Sequence, residues 1–327
     1  MNIYEHISSN GKKTFVIMAL FPLLLLVILY ITLWVAADFM YNPDIHTSVS
    51  SLTAQLAATY LPFVALAAVI WMFVSYYSGD SMMLSASGAI EISKEDNPEI
   101  YSLVENTAMA AGLPMPKVFV IEDESANAFA TGRDPQNSAV ALTTGIIKRL
   151  NKSELEGVVA HEMSHIGNRD VRLMMVVITG IGVLTFIGQV LLRIGASGRR
   201  GGGKNSGAIG LVFALLGLAL IIYGVLLAPL IMYALSRRRE YQADATAALI
   251  TRNPAGLASA LAKISEDSRV EALDSMPLMS SACIANAAAG EGFAAALGGM
   301  FETHPPIKQR IEALMQMDGS YRPVEIR

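Results

Sequence analysis

Four apolar runs constrain this chain before any other feature does. They cover residues 14–37, 56–78, 173–192 and 208–235, and each reaches the roughly 20 helical residues that crossing a hydrocarbon core requires. With 53% hydrophobic and only 16% charged residues, the 327-residue chain is too apolar for an ordinary soluble enzyme of its size and reads as a membrane protein. The first run is too long for a removed signal peptide and has no small-residue cleavage site close behind it, so it reads as a retained anchor.

Lysine and arginine counts beside the runs predict orientation. Lys12 and Lys13 precede the first run, whereas 38–55 carries Asp38 and Asp44 and no basic residue. The amino terminus is therefore expected in the cytoplasm, the first loop outside, and 79–170 back in the cytoplasm. For the second pair, Arg193, Arg199, Arg200 and Lys204 would face outward against the rule. Arg169, Arg172 and Arg237 to Arg239 outweigh them on the other side. The prediction is four transmembrane helices in two hairpins, with a shallower second hairpin as the alternative. A net charge of −4 and the lack of a basic, aromatic-laced stripe argue against nucleic acid. The single cysteine, Cys283, excludes an intramolecular disulfide and reads as a small buried or membrane-proximal residue.

Chemistry enters at His161-Glu162-Met163-Ser164-His165. On a helix, HExxH sets two imidazoles one turn apart on one face, close enough to hold one ion, with a carboxylate beside them to act on water. The local sequence predicts that helix: Ser153 and Glu156 match a capping box ahead of Leu155, Val158 and Val159.

Two histidines hold a catalytic metal incompletely, since such sites usually have three protein ligands and keep one position open. No third histidine follows on the segment, where Asn168 and Val171 stand. The best candidate is Glu240, within Arg239-Glu240-Tyr241-Gln242-Ala243-Asp244: Glu240 and Asp244 share a helix face, so one can bind metal while the other accepts a histidine N–H.

Between the hairpins, 97–112 reads as a helix capped by Asn97, followed by β-rich segments at 117–121, 126–131 and 139–144. These predict a small antiparallel sheet. Asn127, Ala128, Phe129, Ala130 and Thr131 form a candidate edge strand for an extended peptide, the plain alternative being an edge without a partner. Further helices are expected at 236–250 and from Asn253-Pro254 to Ile264, and an alanine- and glycine-rich region follows at 281–300.

HEMSH, the later RRREYQADA, two hairpins flanking the catalytic segment, and the NAFATG and THPP segments together resemble the HtpX family of membrane zinc endopeptidases, related to the CAAX prenyl and Oma proteases. The similarity spans essentially the whole chain. It implies an α+β zincin-like (gluzincin) catalytic domain, one Zn2+ per chain on His161, His165 and Glu240, and Glu162 as general base. It further implies that His304 donates to the oxyanion and that Arg310 pairs with the zinc-site carboxylate. Read by itself, His304 ahead of two prolines is more simply a helix-entry residue. The resemblance also implies a multi-pass protein of the bacterial inner membrane with its active site facing the cytoplasm. Its partners would be the lipid bilayer and misfolded or damaged membrane proteins with their cytoplasmic segments.

The expected organisation is a hairpin at 1–78, a first catalytic part at 79–172, a second hairpin at 173–235 and a second catalytic part at 236–327. A competing reading is a noncatalytic membrane scaffold that binds clients around a structural zinc. An open coordination position and an intact base weigh against it.

Overall fold

The fold is that of a computed structural model, which describes residues 3–41, 44, 48–198, 206–234, 237–265, 283–284 and 305–318. In chain order its elements are α1 (Ile3–Met40), α2 (Val49–Ala86), β1 (Ile90–Glu91), α3 (Pro98–Ala110), β2 (Lys117–Ile121), β3 (Ala128–Asp134), β4 (Asn137–Thr143) and α4 (Thr144–Arg149). Then come α5 (Lys152–Gly167), α6 (Asp170–Gly198), α7 (Ser206–Ala234), α8 (Arg237–Thr251), α9 (Pro254–Ile264) and α10 (Ile307–Met317). The chain divides into two compact units, one of 1–13, 76–175 and 231–327, the other of 14–75 and 176–230.

The second unit is helical and turned inside out. Leu29, Leu33 and Ala57 pack together with Leu61, Val64 and Leu216, while Phe15, Phe63, Phe73 and Phe186 stand out from the surface, each more than half exposed. Apolar surface on that scale suits lipid rather than water. Among the described residues, Met18–Asp38 and Val49–Ala86 are long and apolar enough to cross a membrane, and no more than a quarter of either stretch is buried. That low burial separates them from the core helices of a soluble protein. Leu184–Ser197 and Gly210–Gly224 are apolar but shorter.

The first unit carries a four-stranded sheet in the order β1-β2-β4-β3. The sheet is mixed, which corrects the antiparallel expectation. β3 and β4 are antiparallel, with Phe129 opposite Ala141, because only Pro135 and Gln136 separate them. β2 runs parallel to β4, with Phe119 also opposite Ala141. The link from β2 to β3 therefore carries the chain past the place where β4 later inserts. Gly132 marks a register shift inside β3; its φ of 138° and the backbone of Asn137 beside its missing Cβ leave no room for another residue. The short β1 lies against β2 at Ile90 and Glu91 and has no counterpart in the sequence reading.

Helix α5 runs through the middle of this unit. Eleven of its sixteen residues are buried, so it is covered on more than one face. Leu155, Val158, Val159, Met163 and Ile166 join Val104 of α3, Val140 and Leu142 of β4, Leu257 and Leu261 of α9 and Leu314 of α10 in one core. Gly157 lets α9 come close, because a Cβ there would stand 2.9 Å from the Leu257 nitrogen and 3.0 Å from its Cα.

The helix starts earlier than its sequence suggests. Its cap is Asn151, whose side chain accepts from the Glu154 N–H at 3.0 Å while Glu154 Oε2 accepts from the Asn151 N–H at 2.8 Å. Ser153 is drawn elsewhere: its hydroxyl takes a bond of 2.7 Å from Asn253, the cap of α9. Glu154 is itself bonded to Ser259 and Lys263 on α9 at 2.6 and 2.7 Å. These polar ties and the Gly157 contact fix α5 against α9 and so hold the HExxH turn in place.

Candidate metal centre

One turn of α5 places His161 and His165 edge to face, ring centroids 4.7 Å apart and planes at 87°. Their Nε2 atoms are 3.2 Å apart. The first turn of α8 brings Glu240 to them, Oε2 lying 3.7 Å from His161 Nε2 and Oε1 3.6 Å from His165 Nε2. Tetrahedral coordination with bonds of about 2.0–2.1 Å sets neighbouring ligand atoms about 3.3 Å apart. The three separations fit one such ion, and among the described residues these three side chains form a group able to hold it. Two imidazoles and one carboxylate are also the donor set that suits zinc.

Each histidine is held from behind by an aspartate. Asp244 Oδ1 lies 3.0 Å from His161 Nδ1, and Arg310 grips both oxygens of Asp244. Burial alone would raise the Asp244 carboxyl; Arg310 and His161 overcome it and pull it down to about 2. The sequence favours Glu240 as the ligand, with Asp244 behind it, and in the structure Glu240 faces both Nε2 atoms while Asp244 faces Nδ1. Arg310 Nη1 is also 3.7 Å from Glu240 Oε2, so this guanidinium touches the surroundings of all but one donor.

Behind His165 stand two residues that the sequence reading did not single out. Asp170, first in α6, has Oδ2 at 3.1 Å from His165 Nδ1, and its Oδ1 accepts from Arg239 Nη1 at 2.7 Å. An acid five residues beyond the second histidine and an arginine immediately before the candidate ligand were the available signals. Burial would push Asp170 up, but His165 and Arg239 together hold it below the usual carboxylate range.

These surroundings separate the two rings. Full burial, with Arg310 nearby, pushes His161 down to about 4 despite Asp244. His165 feels the same burial, yet its bond to Asp170 and the charge of Glu240 outweigh it and push it up to about 9. The two rings, whose Nε2 atoms are 3.2 Å apart, are thus pushed in opposite directions. Glu162, 2% exposed, is pushed up to about 7 by burial, and the Ala130 N–H of β3 donates to its carboxylate. That value suits a group that takes and returns a proton near neutrality.

The structure brings the candidate peptide edge to this base. β3 is the outer strand of the sheet, and Asn127 to Thr131 are all buried. Part of the edge is already engaged within the chain. Cys283 bridges antiparallel to Phe129, and the Ile284 N–H donates to the Ala128 carbonyl at 2.9 Å. The Ile284 carbonyl accepts in turn from Arg310 Nη1 at 3.1 Å. Cys283 is buried, as its sequence context suggested, and burial beside Glu162 pushes its thiol well up. His304 lies outside the described residues, as do most of 281–300 and the glycine-rich stretch at 201–203.

Residues 94–318 match the profile of Peptidase family M48. The chain is 36% identical over 313 residues to a protease HtpX homolog of Bacteroides fragilis, covering 94% of this chain and 97% of that one. It is 37% identical over 317 residues to the homolog from Ligilactobacillus salivarius, covering 96% and 100%. For the Dictyoglomus thermophilum homolog the identity is 38% over 322 residues, covering 96% and 94%. Among solved structures, S. mikatae Ste24p is similar with a TM-score of 0.46 and 19% identity, over 79% of this chain and 58% of that chain.

Proposed function

Because the chain belongs to peptidase family M48, we propose that it is a zinc-dependent endopeptidase of the bacterial inner membrane, cleaving misfolded or damaged membrane proteins from the cytoplasmic side. The protease assignment follows from the family and from relatives matched over nearly their full length. The observation that carries the site is the donor triangle of 3.2, 3.6 and 3.7 Å between His161, His165 and Glu240, with Glu162 on the same helical turn.

In this reading His161, His165 and Glu240 hold the ion. A zinc ion there supplies a Lewis acid that polarises a peptide carbonyl and acidifies water. Glu162 takes the proton of the attacking water and returns it to the leaving amine, which its raised affinity for a proton favours. Asp244 orients His161, and Arg310 holds Asp244. An extended substrate would lie along Asn127 to Thr131 beside Glu162, taking the place that the Cys283–Ile284 segment holds at Ala128 and Phe129, and His304 donates to the oxyanion. One such donor is worth about 2.7–4 kcal/mol in other proteases.

The placement in the membrane extends what the two long apolar helices support. We read α6 and α7 as a second spanning hairpin, with the catalytic domain in two parts at 79–172 and 236–327. Substrates that reach a site carried on such helices are membrane proteins and their accessible cytoplasmic segments. The test incubates detergent-purified protein with an unfolded membrane protein, with and without a chelator, beside Glu162→Gln. Fragments that need metal and vanish in the variant support the reading; a variant that still cuts removes Glu162 from its role.

A further inference from the structure

The Asp170–Arg239 pair is placed where a general stabilising role does not explain it. The Asp170 and Arg239 side chains are 6% and 7% exposed, and burying an ion pair brings little net stability because both partners give up their hydration. What distinguishes this pair is direction. Arg239 takes Oδ1 of Asp170, and the other oxygen faces Nδ1 of His165. A carboxylate can only accept, whereas a neutral imidazole donates at one nitrogen and accepts at the other. Asp170 therefore selects one tautomer: the proton at Nδ1 and the lone pair at Nε2, the atom that faces His161 and Glu240.

The chain path adds a second consequence. The compact unit that contains the site is left after Met175 and rejoined at Ile231. Asp170 begins the helix that leaves, and Arg239 lies in the first turn of the helix that follows the return. Their bond joins residues 69 positions apart, and Arg239 is peptide-linked to Glu240.

We propose that Asp170, clamped by Arg239, is a positioning residue of the metal centre, which fixes His165 with Nε2 toward the ion and ties that orientation to the placement of Glu240. The proposal rests on the reading of His161, His165 and Glu240 as the zinc set. It gives His165 the counterpart of what Asp244 and Arg310 give His161, using a different pair, with helix α8 contributing one member to each.

The test uses full-length protein in detergent, loaded with Zn2+ or with Co2+ as a spectroscopic probe. Asp170→Ala is expected to raise the zinc dissociation constant 10- to 100-fold, the usual effect of removing such a partner, and to change the cobalt ligand-field spectrum. Asp170→Asn keeps an oxygen able to accept from Nδ1 and is expected to recover the wild-type spectrum and most of the affinity. Arg239→Gln should weaken zinc in the wild-type background and add nothing once Asp170 is alanine. If Asp170→Ala does not fold, the Arg239→Gln comparison still decides. Wild-type affinity and spectrum in Asp170→Ala, or in Arg239→Gln where the alanine variant does not fold, with only a lowered melting temperature, would make the pair a structural tie and overturn the proposal. His165→Ala serves as the control on the underlying reading: if it too binds zinc normally, the ligand set is wrong, a failure separate from that of Asp170.

Discussion

Arg310 meets Asp244 as a two-pronged pair, Nε to Oδ2 at 2.8 Å and Nη2 to Oδ1 at 2.7 Å, with the guanidinium fully shielded from water. A lysine cannot reproduce that fork. Arg310→Lys should therefore weaken zinc binding about 10- to 100-fold, and Arg310→Met, which strands the Asp244 charge, should cost about 3–5 kcal/mol of stability. Chelator competition and thermal melting read the two effects. A methionine variant as stable as the wild type would show that Asp244 is not held by this pair.

Metal uptake should depend on pH in a direction set by His165. With its affinity for a proton raised to about 9, the ring is charged at pH 7 and must lose that proton to ligate. Apparent zinc affinity should rise with pH, approaching tenfold per unit up to about pH 9, with close to one proton released per ion. Without metal the sign reverses: a raised folded-state value contributes stability that is complete below the unfolded value of about 6.5 and is lost as pH rises through about 9. Calorimetry in buffers of different ionisation enthalpy counts the proton, and a flat pH profile would contradict the assignment.

Glu240→Ala should abolish tight metal binding, since two imidazoles on one helix leave the ion short of a protein ligand. Dialysed wild-type protein should retain one zinc per chain and the variant almost none. Full occupancy in the variant, measured by elemental analysis, would point to a different third ligand.

Gly157→Ala probes the scaffold rather than the chemistry. The added methyl meets the Leu257 backbone, which cannot swing aside as a side chain could, so a loss of about 1–3 kcal/mol is expected. Because α5 would shift with its histidines, zinc affinity should fall in parallel with the melting temperature. An alanine variant that melts like the wild type would refute the close approach of α5 and α9.

The parts of the site legible in sequence are those carried by fixed helical spacing. His161, Glu162 and His165 lie within one turn, and Glu240 with Asp244 within another. Residues 117–121, rich in β-branched and aromatic side chains, form a strand with those bounds. What sequence did not reveal depends on partners brought in from far away. Asp170 looks like one more charge at the foot of an apolar run until Arg239, 69 residues on, closes against it. Ser153 matched a capping pattern, but Asn253 claims its hydroxyl and the cap falls to Asn151. The short turn after β3 was readable and implied an antiparallel pair, whereas the parallel pairing of β2 with β4 depends on the path of the link between β2 and β3.

The only sulfhydryl of the chain is walled in at Cys283, and its surroundings keep it protonated. The native protein should therefore react slowly with thiol reagents, so that introduced cysteines can be labelled against a low background. A single cysteine introduced at exposed Asp44, and in a separate variant one at exposed Lys94, would each report by reaction with an impermeant maleimide on intact cells which side of the bilayer it occupies.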